Sequence, residues 1–160
     1  MPPDGATVED MQRLAEFRYR IRVFLSFSER AARAAGIEPQ QHQLLLACKG
    51  LPETLRPTIG TLAQRLCIEH HSAVALVDKL QARKLVRRAP SKADRREVLI
   101  VLSAEGERLL AKLSALHKSQ LSRDGPPLLA ALSSIVAAEA RSHASAQAAG
   151  PPEAGGAAGR

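Results

Sequence analysis

The stretch Pro90-Ser91-Lys92-Ala93-Asp94-Arg95-Arg96 sets three cations and one carboxylate within seven residues. Ammonium and guanidinium groups at this density bind phosphate oxygens well. The neighbourhood is basic too. Between residues 54 and 100, ten bases (Arg56, Arg65, Lys79, Arg83, Lys84, Arg87, Arg88, Lys92, Arg95, Arg96) stand against Glu69, Asp78, Asp94 and Glu97. Nearly all of the chain's net charge of +7 therefore lies in its central third. A phosphate-binding module concentrates charge in this way; a solvated face kept soluble by its charges is the competing reading.

Other chemistries find less support. The sequence has no Gly-rich phosphate loop, nucleophile elbow or credible acid/base pair, so no enzyme is expected. It has no CxxC, HExxH or His-x-x-x-His spacing. Glu38 and His42 are one helical turn apart, with His117 as a distant third, and this weak set leads us to expect neither metal nor cofactor. Cys48 and Cys67 sit at the ends of apolar helices, where a lone cysteine is usually a small hydrophobe. Aromatic residues make up only 2% of the chain, which excludes a stacking platform for single strands.

Apolar periodicity locates the elements that must carry these groups. Residues 8–35 form an uninterrupted amphipathic helix, with Val8, Met11, Leu14, Ile21, Phe24 and Leu25 on its stripe. The helix is too long for one small core to cover, so a partner chain is expected. Gly36 ends it, and Pro39–Lys49 is a second helix closed by Gly50. After a connector, Thr58 caps a third helix bearing Ile59, Leu62, Ala63 and Leu66. A turn at Cys67–Glu69 leads to a fourth helix from about His70 to Lys84, whose core face is Ala73, Leu76, Val77 and Leu80. The period then changes to that of strands at residues 85–89 and 97–102, with the basic stretch as the hairpin tip. Ser103 caps a long helix to about Ser122, Gly125-Pro126-Pro127 breaks the chain, and a last helix covers about Leu128–His143.

The fold class expected is mainly α with a small β-hairpin wing: a winged helix-turn-helix with N- and C-terminal dimerisation helices. Residues 1–7 are assigned to a disordered N-terminus, 8–38 to a dimerisation helix and 39–102 to the DNA-binding domain. Residues 103–143 are assigned to dimerisation helices and 144–160 to a disordered tail. With 160 residues, one domain plus such helices fits the length. No apolar run nears the roughly 20 residues of a membrane span and no signal peptide is seen, so a cytoplasmic location is expected. In this architecture a helix enters the major groove of duplex DNA and the hairpin reaches the backbone or minor groove beside it. The expected contacts are Thr58, His70, His71, Ser72, Val74, Ala75 and Lys79, then Lys92, Asp94, Arg95 and Arg96 on the wing. Val74 and Ala75 suit thymine methyls, with plain burial the alternative for Val74.

Three stretches resemble the MarR family of bacterial transcriptional regulators: Pro39–Leu46; Thr58–Ala63 together with His70–Leu80; and Asp94-Arg95-Arg96 leading to Leu102-Ser103-Ala104-Glu105-Gly106. The resemblance covers about residues 10–122. It implies a homodimer with interlocked terminal helices, reading a pseudo-palindromic operator with half-sites about 34 Å apart. It implies a wing in which Asp94 braces Arg96 by a carboxylate–guanidinium pair while Arg95 or Arg96 enters the minor groove. It also implies a repressor released by a small molecule, for which Phe17, Arg20, Phe24, Phe27, His42 and Leu45 are candidate ligand contacts, Phe17 and Phe24 alternatively packing the dimer core. Lys84 departs from the pattern, standing where the family commonly has a glycine. A non-sensing architectural or protein-interaction module on the same fold is the alternative function.

Overall fold

The computed structural model describes residues 6–148. Five helices and one hairpin follow in the order α1 (Val8–Ala34), α2 (Pro39–Lys49), α3 (Ile59–Leu66), α4 (His70–Ala82), β1 (Val86–Pro90), β2 (Val98–Leu102) and α5 (Ala104–Ala148). The strands pair antiparallel with Val86 opposite Leu102 and Pro90 opposite Val98. The expected fold class is the observed one. The described residues fall into two compact units, 24–122 and 6–23 with 123–148.

In the larger unit the core forms where α2, α3 and α4 meet the hairpin and the first turns of α5. Leu44, Leu45, Leu62, Val77, Leu80, Ile100 and Leu113 are fully buried. Their burial is the main stabilising term, at roughly 1.5–3 kcal/mol for each large side chain removed from water. The core face expected for α4 is the observed one, because Ala73, Leu76, Val77 and Leu80 share one side of the helix. Thr58 caps α3 as expected, its Oγ1 accepting from the Thr61 amide at 3.2 Å. The connector before it supplies one carbonyl to the hairpin, Pro57 O accepting from Ile100 N at 2.8 Å.

Three helices of this unit end in the same device, in which a left-handed residue lets two amides turn back onto the last carbonyls. After α1 the residue is Gly36, with Ile37 N donating to Ala32 O at 3.1 Å. After α3 it is Cys67, with Ile68 N on Ala63 O at 3.0 Å. After α4 it is Lys84, at φ 58°, with Lys84 N on Gln81 O at 2.9 Å and Leu85 N on Leu80 O at 3.0 Å. The missing glycine at 84 leaves the turn intact, at a conformational cost of about 1 kcal/mol.

That corner is where α5 begins. Ser103 N donates to Leu85 O at 3.0 Å, and the Ser103 hydroxyl donates to Lys84 O at 2.7 Å while accepting from Gly106 N at 3.0 Å. The Ser-x-x-Gly spacing follows from this docking, since a Cβ on Gly106 would stand 2.1 Å from the Leu85 carbonyl oxygen.

Three expectations are corrected. α5 runs through Gly125-Pro126-Pro127 as one helix to Ala148, rather than breaking into two. Proline's fixed φ is itself helical, so the pair can sit within α5, at the cost of the two amides that would face the carbonyls of Ser122 and Arg123 and of crowding between the rings and those carbonyls. Thr7, assigned to a disordered terminus, caps α1 by accepting from Asp10 N at 3.1 Å while Asp10 Oδ2 accepts from Thr7 N at 2.9 Å. Residues 1–5 and 149–160, also assigned to disorder, lie outside the described residues, whereas 144–148 are helical. Residues 24–38 and 103–122, assigned to dimerisation, also pack into the winged unit, where Ala32, Leu110 and Leu113 join its core.

Gly106→Ala should therefore destabilise the fold by about 1–3 kcal/mol, the usual range for overpacking, as a lowered denaturation midpoint. Lys84→Gly should raise stability by about 1 kcal/mol in the same assay.

Candidate nucleic-acid interface and a buried histidine pair

The face of α4 opposite its core residues carries His70, His71, Ala75 and Lys79, all exposed, with Ser72 and Val74 half-buried. The two readings of Val74 thus meet midway, since part of its side chain faces solvent. The N-terminal end of α4 directs backbone N–H groups outward, an arrangement that suits an anion. Thr58 is also half-buried, and its hydroxyl is committed to the α3 cap and to Thr61 Oγ1 at 3.0 Å.

The hairpin tip is built around Ser91, which is buried although it is polar. Ser91 N donates to Glu97 O at 2.9 Å, and Ser91 Oγ accepts from the amides of Ala93 and Asp94 and from Arg56 Nη1 at 3.3 Å. Arg56 also pairs with Glu97 at 2.6 Å, tying the tip to the connector before α3. Arg88 binds Asp78 and Gln81, both at 2.7 Å, and so links β1 to α4. Two of the ten bases counted in the sequence are thus spent within the fold, each against an acid, and the local positive excess is unchanged.

Asp94 does not brace the Arg96 guanidinium. Its Oδ1 accepts from the Arg96 backbone amide at 2.9 Å, the turn that a short carboxylate makes two residues ahead of itself. This corrects the expected ion pair. The side chains of Lys92, Arg95 and Arg96 are exposed and enter no ion pair among the described residues.

The candidate ligand contacts divide between the units. Phe17 and Arg20 belong to the smaller one, where Arg20 Nε bonds Glu16 at 2.6 Å. Phe24, Phe27, His42 and Leu45 belong to the larger, and there Leu45 is wholly in the core, while Leu46, one residue on, reaches a cleft of about 410 Å³. Phe24, Leu25, Ser28, His42, His117 and Lys118 also line this cleft. Two imidazoles stack in it: the rings of His42 and His117 lie 4.8 Å apart at 19°, with Phe24 and Phe27 edge-on to His117. His117 Nδ1 faces the Leu113 carbonyl at 2.6 Å, which can only accept, so this nitrogen carries the proton. In the neutral ring Nε2 then accepts from the Ser28 hydroxyl at 2.8 Å. His42 is 2% exposed and its Nδ1 has no partner.

Sequence reasoning assigned His117 no part in ligand binding. The signal was present, since His117 follows Leu110 by seven and Leu113 by four and so shares their inward face. Ser91 was missed for want of any such period in a loop. Among the described residues no three His, Cys, Asp or Glu side chains converge as a metal site would require, and no helix is long and apolar enough to cross a membrane. Cys67 is exposed, and Cys48 is half-buried with burial pushing its thiol up to about 12, where it is a poor nucleophile at neutral pH.

Helix-turn-helix, hairpin and basic tip together define a winged helix-turn-helix protein. Residues 35–97 match the model of the MarR family. No curated protein matches it in sequence. Among solved structures, the transcriptional repressor CouR bound to a 23-mer DNA duplex is 28% identical, with a TM-score of 0.57 over 77% of this chain and 87% of that one. CouR from Rhodococcus jostii RHA1 bound to p-coumaroyl-CoA is 26% identical over 63% of this chain and 69% of that one, with a TM-score of 0.56. AbsC, a MarR family transcriptional regulator from Streptomyces coelicolor, shares the fold at 18% identity, with a TM-score of 0.63 over 76% and 82%.

Burial, and then the charge of His117, holds His42 below the ordinary histidine range. The unfolded chain therefore binds the extra proton first, and stability should fall as pH drops below about 6.5 toward the depressed folded value. A melting temperature that declines across this interval in the wild type, and declines less in His42→Gln, is the expected outcome.

Proposed function

We propose that the protein is a dimeric, sequence-specific double-stranded-DNA-binding transcriptional regulator, a repressor released by a small-molecule effector. One observation carries the reading. The exposed face of α4 and the unpaired cations of the tip belong to one packed unit, joined by the Arg88–Asp78 and Arg56–Glu97 pairs. α4 enters the major groove, with His70, His71, Ser72, Val74, Ala75 and Lys79 toward bases and phosphates. Lys92, Arg95 and Arg96 lie along the adjacent minor groove, where A·T sequence narrows the groove and concentrates negative potential. Asp94 shapes the tip through the Arg96 amide. Thr58 approaches the backbone with its α3 cap in place.

The duplex-bound CouR structure supports the DNA partner, and the CouR complex with p-coumaroyl-CoA supports a small-molecule effector. Dimerisation is supported by the smaller unit, which leaves Val8, Met11 and Leu14 on α1 and Leu129, Leu132 and Val136 on α5 exposed. A second copy would cover such faces, as unpaired apolar helix surfaces on this scale mark association sites. No second reading is favoured by a specific observation.

Fluorescence anisotropy on the DNA upstream of the protein's own gene, against a scrambled duplex and across a salt series, tests the proposal. Tight, sequence-selective binding with a steep negative salt slope is expected, whereas equal affinity for both duplexes would replace it with an architectural role. Arg96→Ala should weaken specific binding by about 1–3 kcal/mol. Arg13→Ala should leave it unchanged, since Arg13 pairs with Glu9 and Asp10 in the other unit.

A further inference from the structure

The hairpin tip carries more acid than a surface built for positive charge alone would need. Asp94 and Glu97 stand beside the free cations, although a carboxylate there repels a polyanion. Asp94 is committed to the Arg96 amide at 2.9 Å. Glu97 is half-buried and closes the tip with its backbone, its amide donating to Asp94 O at 3.0 Å and its carbonyl accepting from Ser91 N at 2.9 Å. Its side chain then leaves the hairpin, and Oε2 accepts from Arg56 Nη1 at 2.6 Å.

Arg56 joins three parts of the unit. The same Nη1 donates to Ser91 Oγ at 3.3 Å, the oxygen that also receives the amides of Ala93 at 3.3 Å and Asp94 at 3.4 Å. The Arg56 carbonyl accepts from Thr58 N at 2.8 Å, immediately before the α3 cap, and the next carbonyl, that of Pro57, accepts from Ile100 N on β2. One guanidinium thus ties the tip to the start of α3. The tie matters because Lys92, Arg95 and Arg96 are like charges within seven residues and press the loop open.

We propose that Glu97 is a positioning residue for duplex DNA: through Arg56 and Ser91 it fixes the tip in the shape that presents Lys92, Arg95 and Arg96. Removing this acid therefore weakens sequence-selective binding even though it makes the surface more positive. The proposal rests on the DNA-binding reading and adds to it a residue that charge alone would count as a hindrance. Its physical basis is preorganisation. A tip already held to the connector need not be ordered at the moment of binding, so its cations meet the groove in register. A loosened tip keeps its charge, and with it the attraction to any phosphate backbone, but loses the register that tells one duplex from another. An exposed ion pair adds little to global stability, so variants of this one stay folded.

Glu97→Met, which keeps the length and removes the acceptor, separates the two effects by sign. Fluorescence anisotropy compares it with the wild type on the DNA upstream of the gene and on the scrambled duplex. Positioning predicts about tenfold weaker binding to the upstream duplex, with the scrambled duplex bound as before or more tightly. An acid that merely repels DNA predicts tighter binding to both. Glu97→Gln removes the same charge but keeps an acceptor for Arg56, and it should retain more selectivity than Glu97→Met. Arg56→Met should match the loss, and the double variant should be no weaker than either single, as for two groups that act together. Without DNA, the Ser91 and Glu97 amides should exchange with water several-fold faster in Glu97→Met, as read by NMR. Its melting temperature should stay within about 4 °C of the wild type.

Equal or tighter binding of Glu97→Met to the upstream duplex, or an equal loss on both duplexes, would overturn the proposal. So would additive losses in the double variant, identical behaviour of Glu97→Gln and Glu97→Met, or tip amides as slow to exchange as in the wild type. A wild type that does not distinguish the two duplexes is a different result. It removes the regulatory reading, and the positioning of cations for selective binding goes with it.

Discussion

The backbone at Lys84–Leu85 is the constraint on which the winged unit depends. Here α4 ends, β1 begins and α5 docks, all within two peptide groups. The left-handed turn at Lys84 returns the Leu85 amide to Leu80 O, and the Leu85 carbonyl receives Ser103 N. The Lys84 carbonyl takes the Ser103 hydroxyl. These hydrogen bonds tie the end of α4, the start of β1 and the first turn of α5 to one another. The close approach of Gly106 leaves no room for compensation.

Electrostatics then divides the basic residues into two groups with different duties. Arg56 and Arg88 are partly screened surface pairs whose individual energies are small, at about 0–1 kcal/mol. Their contribution is to position, since each ties the hairpin to a different part of the helical layer. Lys92, Arg95 and Arg96 are left to solvent and enter no ion pair among the described residues. Ser91, buried at the base of the tip, supplies the hydrogen bonds that hold this loop while its cations stay free.

The histidine pair joins three helices of the same unit: His42 on α2, His117 on α5 and Ser28 on α1. A polar cluster at such a junction is costly to bury unless every group is satisfied. Both His117 nitrogens are hydrogen-bonded, whereas the buried Nδ1 of His42 has no partner.

Much of this was legible in the residues alone. The helical period of Ala73, Leu76, Val77 and Leu80 set both the core face and the exposed face of α4. Thr58 and Pro39 announced helix starts, and the run of cations between two strand-like segments announced the hairpin tip. These are local signals, governed by the geometry of a single element and by the turn chemistry at its ends. Tertiary structure decided what depends on distant partners. It kept α5 helical through Pro126-Pro127, turned Asp94 onto a backbone amide in place of a guanidinium, and placed Leu46 rather than Leu45 on the cleft. It also drew residues 24–38 and 103–122 into the winged core, and brought His117 against His42 from 75 positions away. Spacing along a chain determines which side of a helix a residue occupies, but which surface that side meets is a property of the packed whole.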